Sequence, residues 1–199
     1  MSFAILSALL GFVFVTTVTP GPNNLMLMAS GANFGFRRTL PHMMGIVGGM
    51  SVMALLVGAG LMALFDAVPV LNLVLKVISA GYLLWLAFRI ATATPLEEWD
   101  ADSRPMTFLK AATFQWVNPK AWAMCLSAVT LYAPDRSLLS VAIVAAAFTL
   151  VCFPAISVWA WLGTVVRQWL SNAARLRVFN IAMAALLVAS LYPVPGLGT

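Results

Sequence analysis

The amino-acid sequence predicts an all-α membrane protein with six transmembrane helices. Of its 199 residues, 62% are hydrophobic and only 9% are charged, whereas a soluble domain carries about 25% charged residues. Long apolar segments, each close to the ~20 residues that a spanning helix needs, follow one another with short connections. Prolines and asparagines interrupt the first and fourth segments. The six segments use almost the whole length, so we expect a single transmembrane domain over residues 1–199.

The first segment contains the more unusual interruption. The six segments are predicted at residues 3–30, 43–65, 70–90, 108–132, 138–166 and 179–191. The run Thr19-Pro20-Gly21-Pro22-Asn23-Asn24 lies inside the first of them. Proline has no backbone N–H, and its ring clashes with the carbonyl four residues earlier in a helix. A freed backbone group in hydrocarbon costs several kcal/mol unless it faces protein or water, which favours a break that lines a cavity.

The second and third segments are predicted to be continuous. A short loop with Arg37, Arg38 and His42 is expected before the second segment. In that segment Gly45 and Gly49 are four residues apart, a spacing that lets helix backbones approach closely. A polar stretch over residues 92–106 follows the third segment and must lie outside the hydrocarbon.

The fourth segment repeats the pattern of the first, because Asn118-Pro119-Lys120 interrupts it. The fifth segment is long enough to be tilted and contains Pro154 near its middle, where we expect flexibility. The sixth is short and ends close to the C-terminus.

The distribution of basic residues predicts the topology. Cytoplasmic connections are enriched in Lys and Arg. The connections after segments one, three and five carry Arg37, Arg38, Arg89, Arg104, Lys110, Arg167, Arg175 and Arg177, and the other side carries only Arg136. Both termini are therefore expected outside. Residues 1–91 and 107–194 would be two inverted three-helix repeats joined by a cytoplasmic loop at 92–106, a plan common in secondary transporters.

Lys120 is the strongest candidate for a functional side chain. It lies about 15–18 Å along its segment at ~1.5 Å per residue, and a cation at that depth costs about 2.5–3.5 kcal/mol. We interpret it as a site for a carboxylate or another anionic group, helped by the helix that restarts at Pro119. The alternative is a lysine that snorkels, or one that pairs with a carbonyl at a broken helix for structural reasons alone.

Carboxamide side chains form a second group of candidates. Asn23, Asn24 and Asn118 lie at the two breaks, and Gln115 comes about one turn before Asn118. Amides both donate and accept hydrogen bonds, so they suit either a substrate ammonium or freed backbone groups. Asparagine is also a preferred N-cap, and the two roles do not exclude each other.

Other classes of function find little support in the residues. The sequence has no phosphate-binding loop, no metal-binding cluster and no nucleophile with a base, so we expect neither an enzyme nor a cofactor or metal. The net charge of +5 is explained by topology, so no nucleic-acid partner is expected. No Asp or Glu lies deep in a hydrophobic segment, so the sequence offers no acidic side chain for proton coupling inside the membrane. His42 has no other histidine or cysteine near it in the sequence with which it could bind a metal.

Four stretches of the sequence resemble the LysE-type amino-acid exporters, which include the homoserine/threonine-resistance proteins. These stretches are TPGPNN and FGFRR around the end of the first segment, LKVISAGYLLWLAFRI in the third and FQWVNPKAW in the fourth. Pro20, Gly21, Pro22 and Asn23, together with Asn118-Pro119-Lys120, occupy the motif positions of that family.

The resemblance implies a multi-pass exporter in the bacterial inner membrane, surrounded by lipid and assembled as a homodimer. Its substrate would be an amino acid or a close derivative, and an ion gradient, with H⁺ as coupling ion, would drive export. The second asparagine of the first motif, Asn24, resembles the motif of members that export cysteine-pathway metabolites or small neutral amino acids such as homoserine and threonine. The alternative that the residues leave open is a channel-like or scaffold membrane protein without carrier activity.

Overall fold

In a computed structural model of the protein, every regular secondary-structure element of the described residues is a helix. The structure describes residues 2–61, 67–68, 70–92, 105–135, 137–167, 169 and 172–189. Its α-helices are α1 (Phe3–Val18), α2 (Pro22–Phe34), α3 (Phe36–Leu56), α4 (Val70–Ala91), α5 (Phe108–Phe114), α6 (Pro119–Tyr132), α7 (Leu138–Arg167) and α8 (Ala173–Ala189). A π-helical turn, Val57–Leu61, extends α3, and a 3₁₀ turn, Gln115–Val117, precedes α6.

Both predicted interruptions are present as breaks between helices. The first predicted segment consists of α1 and α2, which meet at an angle of 57°. The fourth consists of α5 and α6, separated by the 3₁₀ turn and Asn118. Pro22 and Pro119 are each the first residue of a helix, where a missing N–H leaves no intrahelical bond unmade. The prolines therefore start new helices at both breaks.

Two predicted boundaries are wrong. No loop separates the first two segments: Gly35 alone joins α2 to α3, with a φ of 81° that favours glycine. His42 consequently lies inside α3 and is buried, not at the edge of a loop. The last helix begins at Ala173 and not at residue 179, because Arg175 and Arg177 lie on its exposed side.

Within the described ranges, two continuous helices are long and apolar enough to cross a membrane. They are Phe36–Gly60 and Leu138–Arg167, and the bent pair α1–α2 makes a third span if it is counted as one. Helix α7 continues through Pro154, which lies on its exposed face. Most of the predicted loop at 92–106, and Arg136, fall outside the described residues.

Helix α7 lies at the centre of the bundle and packs against α1, α2 and α3. Its contact with α2 is close because a Cβ on Gly31 would overlap the carbonyl of Ala160, and one on Gly163 would overlap that of Met28. Helix α3 approaches α5 in the same way, where a Cβ on Gly49 would lie 2.8 Å from the carbonyl oxygen of Ala112. Helices α4 and α8 pack on each other, α8 also packs against α2, and α4 also packs against the 3₁₀ turn. The two breaks are thereby brought side by side.

Candidate functional site

A small cavity lies where the two breaks meet. Its volume is about 20 Å³, room for about one water molecule, which needs about 10–15 Å³. The lining residues come from α1, α2, α3, α6, α7 and both breaks: Thr17, Gly21, Asn23, Asn24, Ile46, Met50, Asn118, Lys120, Ala121, Met124, Cys152 and Ile156. Four of the five predicted binding residues are among them, and Gln115 is the exception.

Lys120 reaches across from the second break to the first. Its Nζ donates to the carbonyl oxygen of Thr19 at 2.6 Å, to the hydroxyl of Thr19 at 3.0 Å and to the carbonyl of Pro20 at 3.3 Å. The side chain is half-buried. A cation at the C-terminal end of a helix is favoured by the exposed carbonyls there. The ammonium of Lys120 thus holds the unwound end of α1, which is the structural alternative that the sequence left open.

Asn24 is buried at the start of α2 and is only partly satisfied. Its Nδ2 donates to the carbonyls of Thr17 and Thr19, both at 2.7 Å. Its Oδ1 has no hydrogen-bond partner among the described residues. A buried acceptor without a donor is costly, so such a group in a cavity wall is well suited to receive a ligand N–H.

Asn23 and Gln115 connect the two breaks through a reciprocal pair of hydrogen bonds. Asn23 Nδ2 donates to Gln115 Oε1 at 2.8 Å, and Gln115 Nε2 donates back to Asn23 Oδ1 at 3.2 Å. Gln115 also donates to the carbonyl of Ala111 at 2.9 Å and is fully buried. Gln115 therefore acts on the cavity through Asn23 and does not line it.

Asn118 serves as the N-cap of α6. Its Oδ1 accepts the backbone N–H of Lys120 at 3.1 Å, which is the geometry of an asparagine cap. Gly21 has an extended backbone, with φ 177° and ψ 179°. A Cβ on Gly21 would lie 2.7 Å from Lys120 Cδ. A larger residue at this position would displace the lysine stem, which crosses directly over the break.

Several residues of the site carry no signal that sequence reasoning detected. Trp159 of α7 donates from its indole nitrogen to the carbonyl of Val18 at 2.9 Å. Thr19 accepts from Lys120 through its hydroxyl as well as its carbonyl. The apolar wall of the cavity comes from Ile46 and Met50 of α3 and from α7. On each helix these residues are one turn apart, as they are on any buried apolar helix face. No local sequence pattern therefore distinguishes cavity-lining residues from ordinary core residues.

The arrangement combines a cation, an unpartnered amide oxygen and an apolar wall. These groups complement a small molecule with a carboxylate, an ammonium and a modest apolar side chain. Among the described residues, no group of three or more His, Cys, Asp or Glu side chains could hold a metal. The paired breaks, facing each other inside a helical bundle, are the form of site found in secondary transporters.

Comparison with known proteins places the chain in a family of translocators. The LysE type translocator family matches residues 14–190. A cysteine/O-acetylserine efflux protein of Escherichia coli (strain K12) is 29% identical over 196 residues, covering 94% of this chain and 96% of that protein. A cysteine/O-acetylserine efflux protein of Salmonella typhimurium (strain LT2) is 30% identical over 132 residues, covering 66% of this chain and 67% of its own. No solved structure matches the chain.

The chain belongs to the LysE-type translocators. It is an integral membrane protein that transports solutes and is not an enzyme. The resemblance found in the four sequence stretches is confirmed by a match that covers most of the chain.

Proposed function

We propose that the protein exports a small zwitterionic amino acid of the cysteine and O-acetylserine class across the bacterial inner membrane. The observation that carries the proposal is the cavity between the two breaks, which brings Lys120 and the unpartnered Oδ1 of Asn24 to one place. Two relatives of this chain are named cysteine/O-acetylserine efflux proteins. The substrate assignment therefore rests on two observations, the names of these relatives and the chemical groups that line the cavity.

Each end of the substrate has a partner in the cavity. The α-carboxylate binds the ammonium of Lys120, replacing the carbonyls of Thr19 and Pro20 as its acceptors. The α-ammonium donates to Asn24 Oδ1, with Asn23 and Asn118 beside it in the wall. The bonds from the lysine ammonium to the carbonyls are already charge-assisted. A carboxylate adds the attraction of a full opposite charge, so exchange of a carbonyl for a carboxylate favours the loaded state.

The size of the cavity requires a conformational change. A volume of about 20 Å³ is too small for any amino acid, so the structure corresponds to a closed conformation. Substrate entry separates the two breaks, and the Asn23–Gln115 pair opens. The wall that then faces the substrate is apolar and consists of Ile46, Met50 and Ile156. This wall favours a substrate with a short uncharged side chain over one whose side chain carries a second ammonium.

The transport cycle is proposed to be alternating access between two inverted halves. In this arrangement six spans cross the membrane, the termini lie outside, and α1–α2 and α5–α6 are the equivalent broken helices. Glycines at the α2–α7 and α3–α5 contacts allow the halves to move with backbones in contact. Pro154 is proposed as a point of flexibility in α7. Exchange with H⁺ drives export, and the protein is a homodimer in lipid.

Transport in liposomes tests the proposal. The purified protein is reconstituted in liposomes loaded with the common amino acids, homoserine and O-acetylserine, and efflux under an imposed proton gradient is followed by mass spectrometry. We expect selective loss of cysteine, O-acetylserine or a similar small solute. Lys120→Ala should abolish this efflux, and Lys110→Ala, at an exposed lysine of α5, should leave it unchanged.

Three outcomes would contradict the proposal or part of it. Folded protein that releases no amino acid would favour a scaffold or a transporter of another solute. Loss of solute that does not saturate, and that shows no exchange with external substrate, would favour a channel. Normal transport by Lys120→Ala would show that the lysine does not bind the substrate.

A further inference from the structure

His42 is a buried titratable side chain that the proposed transport mechanism does not use. Its exposed fraction is 2%. Neither ring nitrogen has a hydrogen-bond partner among the described residues. Buried polar groups are nearly always satisfied, so a histidine with both nitrogens open invites a functional explanation. In the described part of the chain, no other buried titratable side chain lacks a hydrogen-bond partner for its polar atoms.

The position of His42 relates it to the cavity. His42, Ile46 and Met50 are spaced four residues apart on α3 and lie on one face of the helix. Ile46 and Met50 line the cavity. His42 is one turn away, about 6 Å along the helix at ~1.5 Å per residue, on the side where α2 ends and α3 begins. The proposed topology makes this the cytoplasmic side.

The same side of the cavity is closed by tight helix contacts. On α2, the carbonyl of Met28 lies against Gly163 of α7, and Gly31 lies against Ala160. On α3, Gly45, one turn beyond His42, lies against the carbonyl of Phe108 at the start of α5. Substrate arriving from the cytoplasm must separate helices at this layer, and His42 is buried in it.

We infer that His42 is a proton-binding residue of the cytoplasmic gate, and that protonation of its ring favours the open gate. The inference rests on the proposed function, because it assigns a control to the route by which substrate enters. The neutral ring carries one N–H and one lone pair, and the lone pair accepts the proton. In the closed conformation the resulting cation has no partner. In the open conformation water solvates it.

Other charged groups near α3 do not compensate the cation. On α3 itself the basic residues are Arg37 and Arg38, both exposed. On the neighbouring helices the charged residues are Lys110 of α5, Lys120 of α6 and Arg167 of α7, and α2 has none. All of these are cations, so none stabilises a charged imidazole. Because a proton binds the open conformation better than the closed one, it shifts the population towards the open form.

Equilibrium exchange in liposomes tests the inference without relying on proton-driven transport. The wild-type protein and His42→Asn are compared for exchange of labelled against unlabelled O-acetylserine, with the same pH on both sides. For the wild type we expect exchange to rise about threefold or more as the pH falls from about 7.5 to 5.5, the range in which histidine titrates. For His42→Asn, which keeps a polar side chain that does not titrate, we expect a flat profile.

A second variant guards against a folding defect. His42→Gln should give the same flat profile, and both variants should elute as the wild type does in size-exclusion chromatography. A wild-type profile that persists in either folded variant would overturn the assignment of His42. A wild-type profile that is itself flat would also overturn it. Absence of exchange in the folded wild type at every pH would instead contradict the proposed function and its substrate.

Discussion

The two helix breaks are built in different ways. At the second break the backbone is satisfied locally: the N–H of Asn118 bonds to the carbonyl of Gln115, Asn118 caps α6, and the carbonyl of Trp116 accepts from Trp122. At the first break, four consecutive carbonyls, from Thr17 to Pro20, are held by side chains. These side chains come from α2, α6 and α7.

This difference indicates which break moves. A break that is satisfied by its own neighbours keeps its shape when the surrounding helices separate. A break that depends on Lys120, Asn24 and Trp159 changes as soon as one of these partners finds another acceptor. We therefore interpret α5–α6 as the rigid side of the site and the end of α1 as the side that rearranges on substrate binding.

Among the amide and indole side chains at the two breaks, the largest effect is expected at Asn24. Asn24→Ala removes the donor for the carbonyls of Thr17 and Thr19 and also the proposed acceptor for the substrate ammonium. An unsatisfied buried group costs about 1–3 kcal/mol, so we expect thermal stability in detergent to fall clearly and transport to fall about tenfold or more. Differential scanning fluorimetry and the efflux assay measure the two effects.

Asn33→Ala is the matched control for this prediction. Asn33 is also a buried asparagine of α2, but its Nδ2 donates to the carbonyl of Ala29 within the same helix. Its loss should have a smaller effect on both stability and transport. Equal effects at the two positions would contradict the special dependence of the first break on distant side chains.

The next effect is expected at Trp159. Trp159→Phe keeps most of the ring but removes the donor for the carbonyl of Val18, at a cost of about 1–3 kcal/mol. Chemical denaturation in detergent should show this loss, and transport should be impaired. Trp161→Phe, at an exposed tryptophan of the same helix, should be close to neutral. A neutral Trp159→Phe would show that the first break does not need this bond.

A smaller effect is expected at the N-cap of the second break. Asn118→Ala should reduce stability by about 1 kcal/mol through loss of the cap, and Asn118→Ser should restore it. If Asn118 also contacts the substrate, Asn118→Ser will be stable but will transport with altered KM. Measurement of melting temperature and KM for both variants separates the two roles.

The smallest effect is expected for the pair that joins the breaks. Asn23→Ala, Gln115→Ala and the double variant form a cycle in which the coupling energy reports their mutual bonds. We expect coupling of about 0.5–1.5 kcal/mol, the net contribution of an ordinary hydrogen bond. Coupling near zero would mean that the reciprocal pair does not hold the closed conformation together.

Sequence reasoning located the breaks and offered Lys120 and the asparagines as partners for their backbone groups, but it did not identify which carbonyls each side chain holds. Proline is favoured at the first position of a helix, so a local rule is sufficient to suggest helix starts at Pro22 and Pro119. The bond from Lys120 to Thr19 joins residues 101 positions apart, and no local pattern reports such a pairing. His42 was misplaced because Arg37 and Arg38 suggested a loop, whereas they lie on the exposed face of the first turns of α3. Charged residues in the first turns of a helix therefore led to the prediction of a loop at this position.

Cys152 offers the most direct test that the cavity is the substrate site. It lines the cavity, whereas Cys125, the second cysteine, does not. In a Cys125→Ser background, the rate at which a maleimide labels Cys152 can be measured with and without O-acetylserine. Our account predicts that saturating substrate slows labelling several-fold and that Lys120→Ala abolishes this protection. An unchanged labelling rate in a preparation that exports the substrate would contradict the account.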